Sequence, residues 1–459
     1  MRPNAGPGVC RRRWVEINAA QQHANAKGRP PIQHGIGQRS ATFGLSLDLS
    51  PCVTHFALRL LRKEKNVPRK ALPPSPPNPF EFGRELGAGE LVDRETELEL
   101  VRRSILNRGR LFFIGPRRYG KTSILHAAEE LLTAEGVIVL RYNAEAYESV
   151  ALLARAILTG AARRLGGTVE QASAGLRRFF GGLRPEVSYD IDDQRLSVSL
   201  GRIAPTAPEL PLLGEVLDGI DRMAAEEKGA TAVILDEFQH VIEEGGEAAE
   251  RQLRAAVQRH RHVGYVFSGS RTRMLAQMTG DPNRAFWKLG ERFFLGPIPR
   301  DAFRRFLGRG FTDAGYTVQP EALDHLLDRA EDIPYNVQRL ASACWEALRV
   351  AVKPTLTSEL VDQTLIRLVQ QENPAYMQLW QSLTKAQKKA VKSVIERQGR
   401  ELLGREALES SGLAASSMQR ALEALDERGV IREEEETQRV RYRLEDPFFA
   451  AWIAQVQRT

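Results

Sequence analysis

Residues Phe113 to Leu125 read FIGPRRYGKTSIL. Gly115, Gly120, Lys121 and Thr122 match G-x-x-x-x-G-K-[ST] in full. In that pattern the glycines let the backbone wrap until several N–H groups point inward beside a helix N-terminus, a ready cradle for phosphate oxygens. Lys121 is placed to reach β- and γ-phosphates, and the Thr122 hydroxyl to ligand Mg²⁺. Pro116, Arg117, Arg118, Tyr119 and Ser123 complete the loop and are expected to border the same nucleoside triphosphate. The apolar RLFFI before the loop and ILHAAEELL after it supply the strand and the helix that the motif requires.

A second element stands at residues 232–237, AVILDE. An apolar strand ending in Asp236 delivers a carboxylate toward the magnesium or its water, and Glu237 is then placed to orient and deprotonate the attacking water. Alone, these residues would read as an ordinary buried strand with acids at its exit. Behind a complete phosphate loop they read as catalytic.

Further apolar runs of strand length are GVIVLRYN (136–143), HVGYVFSGS (262–270) and RFFLGPI (292–298), with amphipathic helical stretches between most of them. Such alternation predicts a parallel α/β sheet. In the order 5-1-4-3-2, strand 262–270 lies between the loop strand and the Asp236 strand. Its exit, FSGSRTR, then makes Ser268, Ser270 and Arg271 candidate sensors of the γ-phosphate. Residues 186–203 alternate with period two around Asp192-Asp193, which predicts an inserted hairpin. LVDRETELELVRRSIL predicts a helix with Asp93 as its N-cap.

After Pro299 the pattern is helical. From Thr384 it reads helix, helix, helix, strand, strand, a winged helix. The expected divisions are 1–77, a disordered basic arm or a mis-called start; 78–298, a P-loop core; 299–374, a helical lid; and 375–459, the winged helix. The net charge of +7 misleads, because residues 1–78 hold 13 Lys/Arg and 3 Asp/Glu and the remaining chain balances at −3. Bulk charge therefore gives no argument for nucleic acid. The arm is also open to reading as a transit peptide. Three cysteines without metal-ligand spacing and no apolar run long enough for a membrane span point to a reducing, cytoplasmic compartment.

The stretches NPFEFG, VDRETELE, FIGPRRYGKTSIL, VILDEFQH, GYVFSGSRTRML and DIPYNVQRL together resemble the archaeal-type ATPases of the STAND class of P-loop NTPases, relatives of AAA+ initiators. The closing segment YRLEDPFFAAWI is similar to the end of that family's winged helix. The resemblance implies ATP rather than GTP, and no GTP-type base-reading motif is found. It implies that Pro334 starts the lid helices near the nucleotide, with Asp332 where the family often has glycine or histidine. It also makes Arg292 a candidate for the trans-acting arginine of oligomeric relatives, although a surface ion pair suits it as well.

Taken together, the residues and the resemblance lead us to expect a Mg²⁺-dependent ATPase of slow turnover. Lid and winged helix would close on the triphosphate and open on its loss. A DNA-handling initiator-like or transposition-helper ATPase is one alternative, and a nucleotide-binding scaffold without turnover is another. The third helix of the winged helix offers Arg420 and Arg428 against Glu423, Asp426 and Glu427, and the wing carries Glu433 to Glu436 in a row. Such a surface opposes phosphates, so the expected partner is another protein or the ATPase core itself, with DNA disfavoured and an oligomer possible. Arg439, Arg441 and Arg443 are expected to pair with the wing glutamates, and Val440, Tyr442 and Leu444 to face the core.

Overall fold

The computed structural model describes residues 77–459, apart from 166–168, 181–184, 191–194, 201–211, 228, 352–353, 437–438 and 457–459. The expectation for the arm therefore falls outside the described residues. In chain order the first elements are α1 (Glu95–Leu106), β1 (Arg110–Ile114), α2 (Lys121–Ala134), β2 (Ile138–Asn143), α3 (Val150–Leu165) and α4 (Val169–Phe180). There follow β3 (Pro185–Asp190), β4 (Arg195–Leu200), α5 (Leu212–Glu226), β5 (Thr231–Asp236), α6 (Gln239–Arg259), β6 (Val263–Gly269), α7 (Thr272–Gly280) and β7 (Glu291–Phe294).

β2, β5, β6, β1 and β7 form one sheet in that order. Every pairing is parallel. Counted by appearance this is 2-3-4-1-5, the expected order seen from the other edge. β5 and β6 are buried along their whole length, as central strands covered on both faces must be. That burial explains their unbroken apolar sequences. β3 and β4 pair antiparallel from Pro185↔Leu200 to Asp190↔Arg195, so the inserted hairpin is present, with its Asp192–Asp193 turn outside the described residues.

One expectation fails at the start of α1. Asp93 takes φ 51° and the capping position passes to Arg94, whose carbonyl accepts from Leu98 N at 2.9 Å. The Arg94 side chain is buried instead, donating to Glu97 (2.6 Å) and to the Gly296 carbonyl (2.8 Å). It thereby fastens α1 to the strand-to-lid connection.

The lid comprises α8 (Arg300–Asp313), the two-residue strands β8 (Thr317–Val318) and β9 (Thr355–Leu356), α9 (Pro320–Arg329), α10 (Pro334–Arg349) and α11 (Ser358–Gln371). The winged helix has α12 (Asn373–Ser382), α13 (Lys385–Glu396), α14 (Arg405–Ser411), α15 (Ala415–Glu427), β10 (Ile431–Glu436), β11 (Arg439–Leu444) and the closing α16 (Pro447–Val456). Lid and winged helix share one apolar core, which runs from Phe303 and Leu340 to Phe449 and Trp452. Cys344 lies within it, and burial pushes its thiol up to about 12. Phe80, from the segment before α1, is inserted in the same core against Phe306 and Phe311. Such burial of a phenylalanine contributes about 1.5–3 kcal/mol. Among the wing residues, Leu444 is buried as expected, whereas Val440 at the wing's far end is 46% exposed. The hairpin there extends past the body it packs on.

Just before the central strand β6 a buried imidazole joins three elements. His260 Nδ1 is 2.7 Å from the Tyr265 hydroxyl of β6, and Nε2 is 2.7 Å from Asp218 of α5. Burial holds this histidine below its usual pKa, against the opposing pull of the Asp218 hydrogen bond. The unfolded chain then takes up the proton first, so the contribution is full above about pH 6.5 and is lost as pH falls through the folded value. Thermal melts from pH 7.5 to 5 should show a steeper loss of Tm for the wild type than for His260→Gln. Parallel curves would assign the acid sensitivity to other groups.

Candidate nucleotide-binding site

The loop between β1 and α2 is built as its sequence requires. Gly120 takes φ 89°, a left-handed conformation suited to glycine, and has open space where a Cβ would stand. A Cβ on Gly115 would come within 2.8 Å of Leu295 Cβ, so that glycine lets the loop pass close under the β7 exit. Lys121 is 4% exposed and donates to the Pro116 carbonyl at 3.0 Å. Burial pushes its ammonium pKa down, against the pull of Glu237 and Asp236. Thr122 Oγ1 donates to Asp236 Oδ2 at 2.8 Å, and the other Asp236 oxygen accepts from Glu237 N at 3.0 Å.

Glu237 has φ 47°, unusual for a side chain of its size. Its Oε2 accepts from Gln239 Nε2 (2.5 Å) and from Ser270 Oγ (2.8 Å). Burial pushes this carboxyl up, but the Lys121 charge and the two hydrogen bonds more than offset it, and its pKa lies below the usual value. Glu237 is therefore an ionised carboxylate in a fixed orientation beside a buried ammonium.

A cavity of about 430 Å³ opens over the loop. Arg117 through Ile124 line it, with Glu237, Glu145, and Ile298, Phe303, Pro334, Tyr335 and Gln338 from the lid side. The segment before α1 supplies its remaining wall, including Phe82, Leu86, Leu91 and Val92. Leu86 N is held by Ser123 Oγ at 3.2 Å, and Phe82 meets the Tyr335 ring edge-on at 6.0 Å. In the sequence NPFEFG carries only the family resemblance, and its place at the site is not legible there. Its one local signal was a pair of aromatic residues ahead of the first helix.

The sequence-derived residues divide as follows. Arg117, Arg118, Tyr119, Gly120, Lys121, Thr122, Ser123, Glu237 and Pro334 line the cavity. Gly115 and Pro116 shape the loop from behind, and Asp236 sits beneath it, bonded to Thr122. Ser270 reaches Glu237, whereas Ser268 is fully buried and its hydroxyl has no partner among the described residues. Arg271 pairs with Glu243 at 3.1 Å. Arg292 is exposed on β7 and is not among the cavity-lining residues. Asp332 has φ 55° and lies 3.6 Å from Arg300.

The winged helix closes over the loop. Asp446 Oδ2 pairs with Arg118 at 3.0 Å and also accepts from the Tyr376 hydroxyl at 3.0 Å. The Arg432 guanidinium stacks over the Tyr119 ring at 5.7 Å. Burial pushes the Glu445 carboxyl up, against the opposing pull of Arg432, Arg117, Arg118 and Lys121. Two wing acids are engaged as well. Glu433 meets Arg273 of α7 at 3.0 Å, and Glu434 meets Arg432 and Arg443, each at 2.9 Å. Arg443 also pairs with Glu331 of the lid at 2.9 Å, while Arg441 donates to the Gln398 carbonyl.

Sheet order, loop and carboxylate strand define a P-loop NTPase fold carrying a C-terminal winged helix. Residues 374–455 match the family described as a probable winged helix domain. The Walker-type ATPase PABY2304 of Pyrococcus abyssi shares the fold, with a TM-score of 0.55 at 17% identity over 82% of this chain and 99% of that one. A fainter likeness, at TM-score 0.49 and 16% identity over 83% of this chain and 96% of the other, is to the ORC2 protein of Aeropyrum pernix. No curated protein matches the sequence.

Lys121→Ala removes the buried cation at the head of α2. Triphosphate binding should fall below detection in titration calorimetry, and retained affinity would move the site elsewhere.

Proposed function

We propose that the chain binds ATP with Mg²⁺, hydrolyses it slowly, and uses the bound nucleotide to control docking of its winged helix, in the manner of STAND-class ATPases. The observation that carries this reading is the meeting at one loop of Lys121, Thr122, Asp236 and Glu237 with Arg118 and its winged-helix partner Asp446. The cavity size and its mixture of cationic and apolar lining suit a nucleotide. Thr122 and Asp236 offer adjacent oxygens, a fit for Mg²⁺, which takes few protein ligands besides phosphate and water. Held by Thr122 and Asp236, the ion would supply charge neutralisation at the phosphates.

The chain's own residues carry the rest. The loop amides and Lys121 bind the phosphates. Glu237, held by Gln239 and Ser270, orients water and accepts its proton. The ATP preference follows the family resemblance. Slow turnover follows the family resemblance too: an arginine finger is worth about 10³–10⁵ in rate, and Arg292, away from the chain's own cavity, could supply one only to a second copy.

The charges favour a switch of the opposite sense to that expected from the sequence. Glu445 and Asp446 bring acidic groups to the cations of the loop, and a γ-phosphate competes for those same cations. Docking should thus weaken with triphosphate and strengthen with diphosphate. DNA handling is the weaker alternative, because α15 offers only Arg420 and Arg428 against Glu423, Asp426 and Glu427, too little positive charge to grip phosphates. A nucleotide-binding scaffold is the reading that remains if no turnover is found.

Glu237→Gln should bind ATP with wild-type affinity and lose turnover by about 10²-fold or more, the range of a lost general base. Phosphate release at the wild-type rate in this variant would place the base elsewhere. Asp446→Asn keeps an acceptor for the Phe448 amide (3.0 Å) while removing the charge facing Arg118. Limited proteolysis in ADP should then cut the lid and winged-helix region faster than in the wild type. Equal protection would show that the pair does not hold the docked state.

A further inference from the structure

Gln338 has no role in anything described so far. It sits on α10 four residues beyond Pro334, about 6 Å farther along the helix axis. Pro334, Tyr335 and Gln338 all line the cavity, and Tyr335 N donates to the Arg118 carbonyl at 3.3 Å, which anchors this helical face to the loop. The Gln338 side chain is buried, and its Oε1 has no hydrogen-bond partner among the described residues. A buried amide oxygen without a partner is costly, and proteins normally match such groups. Here the amide borders a cavity, so a ligand can supply the match.

The lining divides by chemistry. Lys121, Thr122 and Glu237 serve charged groups, whereas Leu91, Val92, Ile298 and Phe303 are apolar and suit a flat heterocycle. Ile298, Phe303 and Gln338 line the cavity together with Leu91 and Val92 of the segment before α1. The amide is the neutral hydrogen-bonding group that α10 adds to that apolar set.

We propose that Gln338 reads the nucleotide base and sets the preference for adenine. This rests on the nucleotide-binding reading given above. A glutamine amide offers one acceptor and one donor in a fixed pair. Adenine matches it with the N6 amino donor and the N7 acceptor. Guanine presents O6 and N7, both acceptors, so the amide satisfies one and leaves its own oxygen facing another oxygen. The selection thus comes from one lid side chain, and it operates only while the lid is packed against the loop.

Titration calorimetry on the full chain with ATP, GTP and 2′-deoxy-ATP tests this, comparing wild type with Gln338→Met and Gln338→Glu. Methionine keeps the length and burial without the amide, and glutamate keeps an acceptor without the donor. The wild type should prefer ATP, and the ratio of GTP to ATP dissociation constants should fall about tenfold or more in Gln338→Met, whereas Gln338→Glu, which keeps the acceptor that faces N6 of adenine or O6 of guanine, should keep the preference for ATP. Circular dichroism melts confirm that the variants are folded. An unchanged ratio in folded Gln338→Met, or a lost preference in folded Gln338→Glu, overturns the proposal. So does a change confined to ATP against 2′-deoxy-ATP, which would put the amide on the ribose. If the wild type binds no nucleotide and Lys121→Ala behaves identically, the nucleotide site itself is misassigned and the base-reading role falls with it.

Discussion

A lysine ammonium held out of water at the first position of a helix is the constraint around which this molecule is arranged. The helix dipole does not help it, since the N-terminal end of a helix is itself positive. An isolated charge in such a place costs several kcal/mol, so carboxylates must come to it. Asp236 and Glu237 arrive from β5, two strands away from β1, and only the observed strand order brings that exit to the loop. Glu445 contributes from the far end of the chain. The left-handed backbone of Glu237 is part of the same arrangement. It turns the amide back onto Asp236 and leaves the carboxylate free to be gripped by Gln239 and Ser270.

The acidic wing takes its meaning from this closure. As a run of glutamates it resembles a solvated, DNA-repelling surface. In the fold, Glu433 and Glu434 are matched by arginines of α7 and of the hairpin itself, and Arg443 reaches across to Glu331 of the lid. Exposed pairs of this kind contribute little singly. Their joint effect is orientation, fixing which face of the winged helix meets the loop. Arg432 is the exception in energy, because it is buried, stacked on Tyr119 and hydrogen-bonded to the Leu444 carbonyl at 3.1 Å.

Local chemistry was legible in the sequence, and distant pairing was not. The phosphate loop and the carboxylate strand follow from residues that act within a few positions of one another, and the strand order came with the P-loop fold that they signal. The hairpin and the winged helix were visible for the same reason, through periodicity and turn residues. Asp93 was misread because a good capping residue has no effect once its backbone enters the left-handed region. Val440 was misread because alternation predicts a face but not where the supporting body ends. Arg118 with Asp446, Phe80 in the lid core and Gln338 beside the cavity join segments far apart in the chain. No pattern in any one segment announces such a contact.

The segment from Phe80 to Leu86 joins the lid to the ATPase core a second time, apart from the main connection near Pro299. Phe80 is packed among lid helices, Asn78 donates to the Ser342 carbonyl and hydroxyl, and Leu86 is bound to Ser123 beside the loop. Six residue steps separate the two anchors, a fully extended reach of about 20 Å. The lid is therefore on a leash. Any displacement of the lid from the loop is bounded by the contour length of this short, irregular stretch of backbone unless Phe80 leaves the lid core.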